Sequence, residues 1–463
     1  MPLAVAVDLG SSRIKAAHMQ ADGRLTTPIA AGAPPLSGRG GVRQGSARDY
    51  IETAEAVLRE ALGSCSADVP VAIAAQRSSF LLWEPATGRP VTPLISWQDR
   101  RAQAWCDAHA EPYRPLAAVT GLPLSAHYAG AKLADLFSRD YRLKAEAASG
   151  RILFGTLESY LIWRLTDRRR HQTDLSMAGR TLLADIRQGA WASRMLAFFD
   201  LPGRFLPQIV ATSGHRIPLS CGGRLAASLA DQAAGLIAAD PHAGRTIAVN
   251  LGTGGFVMAG TGRDMARLPG YLTAPVRQRP DGGVDYALEG TINAIGPALA
   301  GHPGPDPVLG REDPAPGCYC LPDNAGLGAP YWRADIDLPF SKAARACPPE
   351  LRRRVIMEGI IFRVSRMAED FQKIRPFTRL LLSGGLSGQT FIARGLAACS
   401  GLDVYTGQEP EATLWGAAAL AAARPMRPPA AEIVPCPVGK GRYLKAKFEQ
   451  WKTWVDSLLD TVD

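Results

Sequence analysis

The chain has 463 residues, 46% hydrophobic and 21% charged, with a formal net charge of +9. That balance excludes a disordered or fibrous chain and fits a globular protein of two domains of roughly 200 residues each. No apolar run reaches the ~18 residues of a membrane span, and no basic leader opens the chain, so a cytoplasmic protein without a membrane partner is expected. The positive charge suits an anionic partner. Arg168-Arg169-Arg170 and Arg352-Arg353-Arg354 are short clusters without interleaved aromatics, which reads as solvated surface and not as a nucleic-acid stripe.

In chain order, apolar runs predict strands at 3–8 and 13–19 around the turn Leu9-Gly10-Ser11-Ser12, and another at 71–75. Helices are expected near 47–63, 100–109 and 154–165. Residues 247–258 then repeat the opening design about half a chain later: an apolar run ends in Asn250 where the first ended in Asp8, passes through Leu-Gly and a hydroxyl residue, and returns as a second apolar run. A duplicated domain explains this most simply. A long helix is expected near 349–371, a strand at 379–383 running into Gly384-Gly385, and a helix near 411–423. The Pro/Gly-rich segment 297–317 reads as an irregular loop. Leu444, Phe448, Trp451, Val455 and Leu458 fall at helical spacing and predict a terminal helix docked on the core. The eight cysteines are scattered; Cys318 and Cys320 lack a second pair to complete a zinc site and read as buried free thiols.

The turns separate the candidate phosphate binders. A dinucleotide fingerprint needs strand, GxGxxG and helix, whereas here a strand follows each turn. No GxxxxGK[ST] occurs. A hairpin with a Gly/Ser/Thr tip can still cradle phosphate through free backbone N–H groups and hydroxyls. At Gly384-Gly385 the missing Cβ atoms would let a flat ring lie against the backbone, or simply permit a tight strand-to-helix turn.

The stretches AVDLGSSRIKA, AAQRSSFLLWEPATGRPVTPLISWQDRRA, GTLESYLIWRLTD, HQTDLSMAGRTLL, SLADQAAGL, NLGTGGFV, YALEGTINAIG, NAGLGAPYW, LLLSGGLSGQTF and EATLWGAAALAA resemble, in order and spacing, the FGGY family of sugar and polyol kinases within the actin-like ATPase superfamily. The resemblance implies an α/β fold of two actin/ribonuclease-H-like domains, residues 1–236 and 237–463, with an interdomain active-site cleft. It implies ATP and Mg2+, with Asp8 holding the metal. Ser11, Ser12 and Lys15 would meet the phosphates from one side, and Gly252, Thr253 and Gly254 from the other. Gly296, Gly384, Gly385 and Gln389 fall at nucleotide-pocket positions, and Asp231 is the implied general base. Asp231 could also cap the helix that follows it, and the two roles are compatible.

Within the family the acceptor motifs resemble those of glycerol kinases most. Gln76, Arg77, Ser78, Trp97, His127, Gln232 and Phe256 are the implied substrate contacts. Glycerol kinases have Glu where this chain has Ser78, and Tyr where it has His127, so a larger or differently shaped acceptor is expected. The signature at HYAGAKLADLF lacks its Trp and carries Asp135, and Pro297 interrupts the helix expected after YALEG. The expected activity is ATP-dependent phosphorylation of a hydroxyl of a small sugar or polyol, by a protein that is compatible with a homodimer. The alternative is a nucleotide-binding sensor or weakly active pseudokinase that retains the fold. An actin-like or chaperone ATPase would lack the QR and WQDRR motifs.

Overall fold

A computed structural model of the chain describes residues 1–63, 65–241, 244–424, 427–436, 439 and 441–460. Two mixed sheets organise it. The first runs, in spatial order, Ser213–Pro218, Arg224–Ala230, Pro70–Ala75, Ala4–Leu9, Arg13–Met19 and Ile29–Gly32. The second runs Leu272–Gln278, Val284–Ile292, Gly255–Gly262, Thr246–Leu251, Arg379–Ser383, Asp403–Gly407 and Ala431–Ile433. In each, the leading strand takes an antiparallel hairpin partner on one edge and a parallel strand on the other. Ala4–Leu9 lies between Arg13–Met19 and Pro70–Ala75; Thr246–Leu251 lies between Gly255–Gly262 and Arg379–Ser383. The repeated sequence is therefore a repeated sheet plan, in an α/β protein of two domains.

Ala4 to Val7 and Val71 to Ala75 are fully buried because helices cover this sheet, which is why these strands read as unbroken apolar runs. Helix Ala47–Leu62 starts where Ser46 accepts from the Asp49 N–H, and it buries Tyr50, Ile51, Ala54, Val57 and Leu58 at helical spacing. Helix Ala412–Ala422 comes from the far end of the chain, yet Leu414, Trp415, Ala417, Ala418 and Ala421 join the same core. It crosses helix Asp231–Ala239 so closely that a Cβ on Gly416 would lie 1.9 Å from the Ala234 carbonyl oxygen. Only glycine permits that approach. The second core centres on helix Pro349–Gln372, and helix Arg442–Asp460 docks Leu444, Phe448, Trp451 and Val455 onto it.

Three local expectations change. Residues 154–156 belong to strand Leu153–Thr156, and the helix begins at Leu157; Gly155 pairs with Leu81 and lies under the Trp83 ring, where a Cβ would stand 2.7 Å from that ring. The helix placed at 100–109 runs over Gln103–Tyr113, because the Asp99 carboxylate accepts the Arg101 N–H and holds the preceding residues in a turn. The loop placed at 297–317 begins with a helix, Ile295–Ala300. Pro297 is accommodated in its first turn, where no backbone N–H is needed. All eight cysteines are free, with Cys318 and Cys320 buried. Among the described residues no helix is long and apolar enough to cross a membrane.

Candidate active site

Asp8 sits one residue before the end of its strand, opposite Lys15. Its Oδ1 is sealed from solvent and has no hydrogen-bond partner. Burial, reinforced by the nearby Asp231 carboxylate, pushes its pKa up to about 8 against a partial pull down from Lys15. Lys15 itself turns to Glu411, with Nζ 2.6 and 2.8 Å from the two carboxylate oxygens. The first hairpin is thereby tied to the start of helix Ala412–Ala422. Beyond Asp8 the turn is tight: a Cβ on Gly10 would stand 2.6 Å from the Arg13 carbonyl oxygen. Ser11 and Ser12 lie exposed at the tip.

The second hairpin is braced by backbone. The Gly252 N–H donates to Gly254 O at 2.9 Å across the turn, leaving Thr253 exposed. The Gly296 N–H donates to Thr253 O at 3.0 Å, so the short helix after strand Val284–Ile292 starts against this tip. Gly384 has φ +88°, and a Cβ there would lie 2.5 Å from Leu251 O. Gly252, Thr253, Gly254, Gly296 and Gly384 are thus brought together, while a Cβ on Gly385 would meet open space. Gln389 precedes helix Thr390–Cys399, and its amide donates to Asp306 of the irregular loop at 3.0 and 3.3 Å.

Asp231 is the first residue of helix Asp231–Ala239, and its Oδ1 accepts the Gln232 N–H at 2.7 Å. The side chain keeps 24% of its surface open, and Arg77 Nε stands 3.9 Å from Oδ1. Burial pushes the Asp231 pKa up; Arg77 is the largest influence in the other direction. The preceding residue is held as well: the Ala230 N–H donates to Ser176 Oγ at 2.8 Å, and that hydroxyl donates to Asp174 Oδ1 at 2.8 Å. Asp174 also accepts from Thr212 at 2.7 Å. The motif HQTDLS therefore fixes the backbone that presents Asp231.

Arg77 forms a two-pronged pair with Glu289, Nη1 to Oε2 at 2.6 Å and Nη2 to Oε1 at 2.9 Å. Arg180 approaches the same carboxylate at 3.3 Å. Burial opposes a charge on Glu289, but Arg180 and Arg77 hold its pKa below the ordinary carboxylate range. This buried cluster joins strand Val284–Ile292 of the second sheet to residues of the first half. Ser78 has φ +66° and donates from Oγ to Arg180 O at 3.1 Å. A left-handed conformation at a non-glycine residue is a costly turn, and here it lies beside Arg77.

The residues expected to face the acceptor continue from there. The Arg77 guanidinium lies 5.8 Å from the centre of the Phe256 ring. Trp97 and His127 pack with ring centres 5.6 Å apart, and His127 rests against Tyr128 at 4.9 Å. Burial, then the surrounding Lys132, Arg180, Arg77 and Arg100, pushes the His127 pKa well below 6.5, so the imidazole is neutral. Gln76 is buried, with its amide engaged by Tyr50 and Ser79. Gln232 is partly exposed next to Asp231.

Glu289, Arg180, Glu411 and Ser176 were not singled out from the sequence. Glu289 carries a usable signal: an acid set among the apolar and small residues of YALEGTI must find a cation if the strand is buried. The others had none, since their partners lie in the opposite half or on a distant strand.

The N-terminal domain of the FGGY family of carbohydrate kinases matches residues 3–222, and the C-terminal domain matches residues 247–424. A glycerol kinase of Methylobacterium nodulans is 30% identical over 449 residues, covering 90% of this chain and 89% of its own. Plasmodium falciparum glycerol kinase with ADP superposes with a TM-score of 0.83 at 18% identity, over 98% of each chain. A gluconate kinase from Lactobacillus acidophilus does so with a TM-score of 0.82 at 16% identity, again over 98% of each. The chain belongs to the FGGY family of carbohydrate kinases, enzymes that transfer a phosphoryl group from ATP to an alcohol group.

Proposed function

We propose that the chain phosphorylates one hydroxyl of a small sugar or polyol, with Asp231 as the general base. The observation that carries this is the setting of Asp231: a partly open carboxylate at a helix start, beside Arg77, with its pKa raised toward the range in which a base both accepts and releases a proton. Asp231 takes the proton of the attacking hydroxyl. Arg77, Trp97, His127, Gln232 and Phe256 bind and orient the acceptor, Arg77 being held in place by Glu289. Gln76 and Ser78, both buried, support that wall from behind. Ser11, Ser12 and the Gly252-Thr253-Gly254 turn offer hydroxyls and backbone N–H groups to the phosphates, and Lys15 sets the charge behind them. Gly296, Gly384, Gly385 and Gln389 form the nucleotide side. The domains divide at residues 236/237, inside helix Asp231–Ala239. The protein works in the cytoplasm.

The residues also fit a magnesium ion. Asp8 Oδ1 is buried and unpartnered, and a second carboxylate raises its pKa further. Among the described residues there is no cluster of three or more metal-ligating side chains. That suits Mg2+, which in nucleotide sites takes one or two carboxylates and otherwise water and phosphate oxygens. Asp8 would hold it, and the ion would neutralise charge on the polyphosphate. No observation favours the sensor alternative: Asp8, Asp231 and both hairpins are all in place.

The test is ADP release from Mg-ATP across a panel of polyols, ketoses and aldoses, with Asp231→Asn beside the native protein. Turnover with one compound, reduced on the order of 10³-fold in the variant, is the expected result. Turnover that survives the substitution removes Asp231 as the base.

A further inference from the structure

Four hydrogen bonds run without a break from the acceptor side to the tip of the first phosphate hairpin. The Trp97 N–H donates to Ser79 Oγ at 3.0 Å. The Ser79 hydroxyl donates to Gln76 Oε1 at 3.2 Å. Gln76 Nε2 donates to the Tyr50 oxygen at 3.3 Å, and the Tyr50 hydroxyl donates to Gly10 O at 2.7 Å. Tyr50, Gln76 and Ser79 are all at most 6% exposed. Water therefore has little access to substitute for a missing link.

Every bond in the series points the same way. Each hydroxyl accepts from the preceding group and donates to the next, so the bonds polarise one another. Turning the Gln76 amide over would break this order: its NH2 would face Ser79 Oγ, already accepting from Trp97, and the Tyr50 proton would be contested between Gln76 and Gly10. The backbone adds a parallel tie, since the Gln76 N–H donates to Leu9 O at 3.1 Å. Tyr50 lies in the first turn of helix Ala47–Leu62 and is packed in the first core, so the middle of the series rests on a rigid element. Its two ends do not. Trp97 sits in a loop, and Gly10 opens the turn that carries the exposed Ser11 and Ser12.

We propose that Tyr50, Gln76 and Ser79 are positioning residues that couple the acceptor loop at Trp97 to the phosphate hairpin at Gly10, so that acceptor and nucleotide tighten each other's binding. The proposal rests on the kinase reading above. None of the three need touch a reacting atom. Acceptor packed on Trp97 fixes the loop N–H, and the series then holds the Gly10 carbonyl and, with it, the direction of the hairpin's N–H groups. The coupling is reciprocal, as any equilibrium linkage must be. It also gives Gln76 a role that its engaged amide allows.

The test is a double-mutant cycle on nucleotide affinity, with calorimetric dissociation constants for Mg-AMPPNP. Tyr50→Phe removes one hydroxyl next to the hairpin; Ser79→Ala removes one at the other end of the series. Each is expected to weaken binding by roughly three- to tenfold. The double variant should be no weaker than the poorer single one, because the second deletion finds the series already broken. In turnover with any acceptor found by the panel, the KM for ATP should rise while kcat stays near the native value. Melting temperatures identify a variant that fails to fold; Ser79→Cys, which keeps a weak donor, then replaces Ser79→Ala in the cycle. Additive losses in the cycle overturn the proposal and leave the kinase reading standing. So does a Ser79 variant that binds nucleotide as the native protein does. A native protein that does not bind Mg-AMPPNP at all overturns the kinase reading, and the coupling with it.

Discussion

The two hairpins share a strand plan but differ in turn length, Leu9 pairing with Ile14 and Leu251 with Gly255, and in what holds them. In the first, the tip is braced by side chains: Tyr50 reaches the Gly10 carbonyl and Lys15 pairs with Glu411, while Asp8 is left with a buried, unpartnered oxygen. In the second, the corresponding strand-end residue is Asn250, exposed and uncharged, and the bracing is backbone packing against Gly296 and Gly384. One sheet plan has been divided into a charged half and a neutral, sterically fitted half. In the proposed function the charged half carries the chemistry and the neutral half allows close approach. Arg77 and Glu289 join them.

The joint is where a substitution should do most damage. Glu289→Gln leaves Arg77 and Arg180 buried without a matching anion, and a loss of about 3–5 kcal/mol in urea unfolding is expected. A loss below about 1 kcal/mol would show that the cluster is not what fastens the halves. The neutral hairpin breaks next. Gly384→Ala meets both a left-handed φ and a carbonyl 2.5 Å away, and should cost about 3 kcal/mol. Gly385→Ala, facing open space, should stay within about 0.5 kcal/mol. Equal losses at the two glycines would dismiss the steric account.

The charged hairpin should respond to pH in the opposite sense from an ordinary paired carboxylate. Folded Asp8 keeps its proton up to about pH 8, whereas its ordinary value is 3.8. Between those values the folded state binds the extra proton, so its contribution to stability falls as pH rises, and the loss is complete above the upper value. Asp8→Asn should therefore stabilise the metal-free protein at pH 8.5, by on the order of 2 kcal/mol, and do little at pH 4. Mg-dependent turnover should disappear in the same variant. An unchanged difference between the two pH values would mean that Asp8 ionises normally. A small effect is also expected at Lys15→Met. The Lys15–Glu411 pair is partly exposed, so a cost below about 1 kcal/mol is expected.

Much of this was legible locally. The run AVAVDLGSSRIKA carries its own strand, turn and strand, and its second appearance at residues 247–258 implied the duplicated sheet. Helix Pro349–Gln372 and the docked face of helix Arg442–Asp460 followed from spacing alone. The helix expected near 154–165 starts later, because Leu153–Thr156 suits strand or helix locally and only its pairing with Phe80–Trp83 decides. For the site, residue types were readable but pairings were not. Nothing near Lys15 announces Glu411, and nothing near Arg77 announces Glu289.

The sequence by itself determined the two-hairpin plan, the family and the residue types available at the site, because backbone preference and hydrophobic period act over a few residues. Tertiary structure decided that helix Ala412–Ala422 returns to the first sheet, that Asp8 and Asp231 share one field, and that Tyr50 stands between the Gln76 amide and the turn at Gly10. Those are contacts between residues far apart in the chain. Charge, burial and hydrogen bonding act through space, so their consequences exist only once the chain has folded.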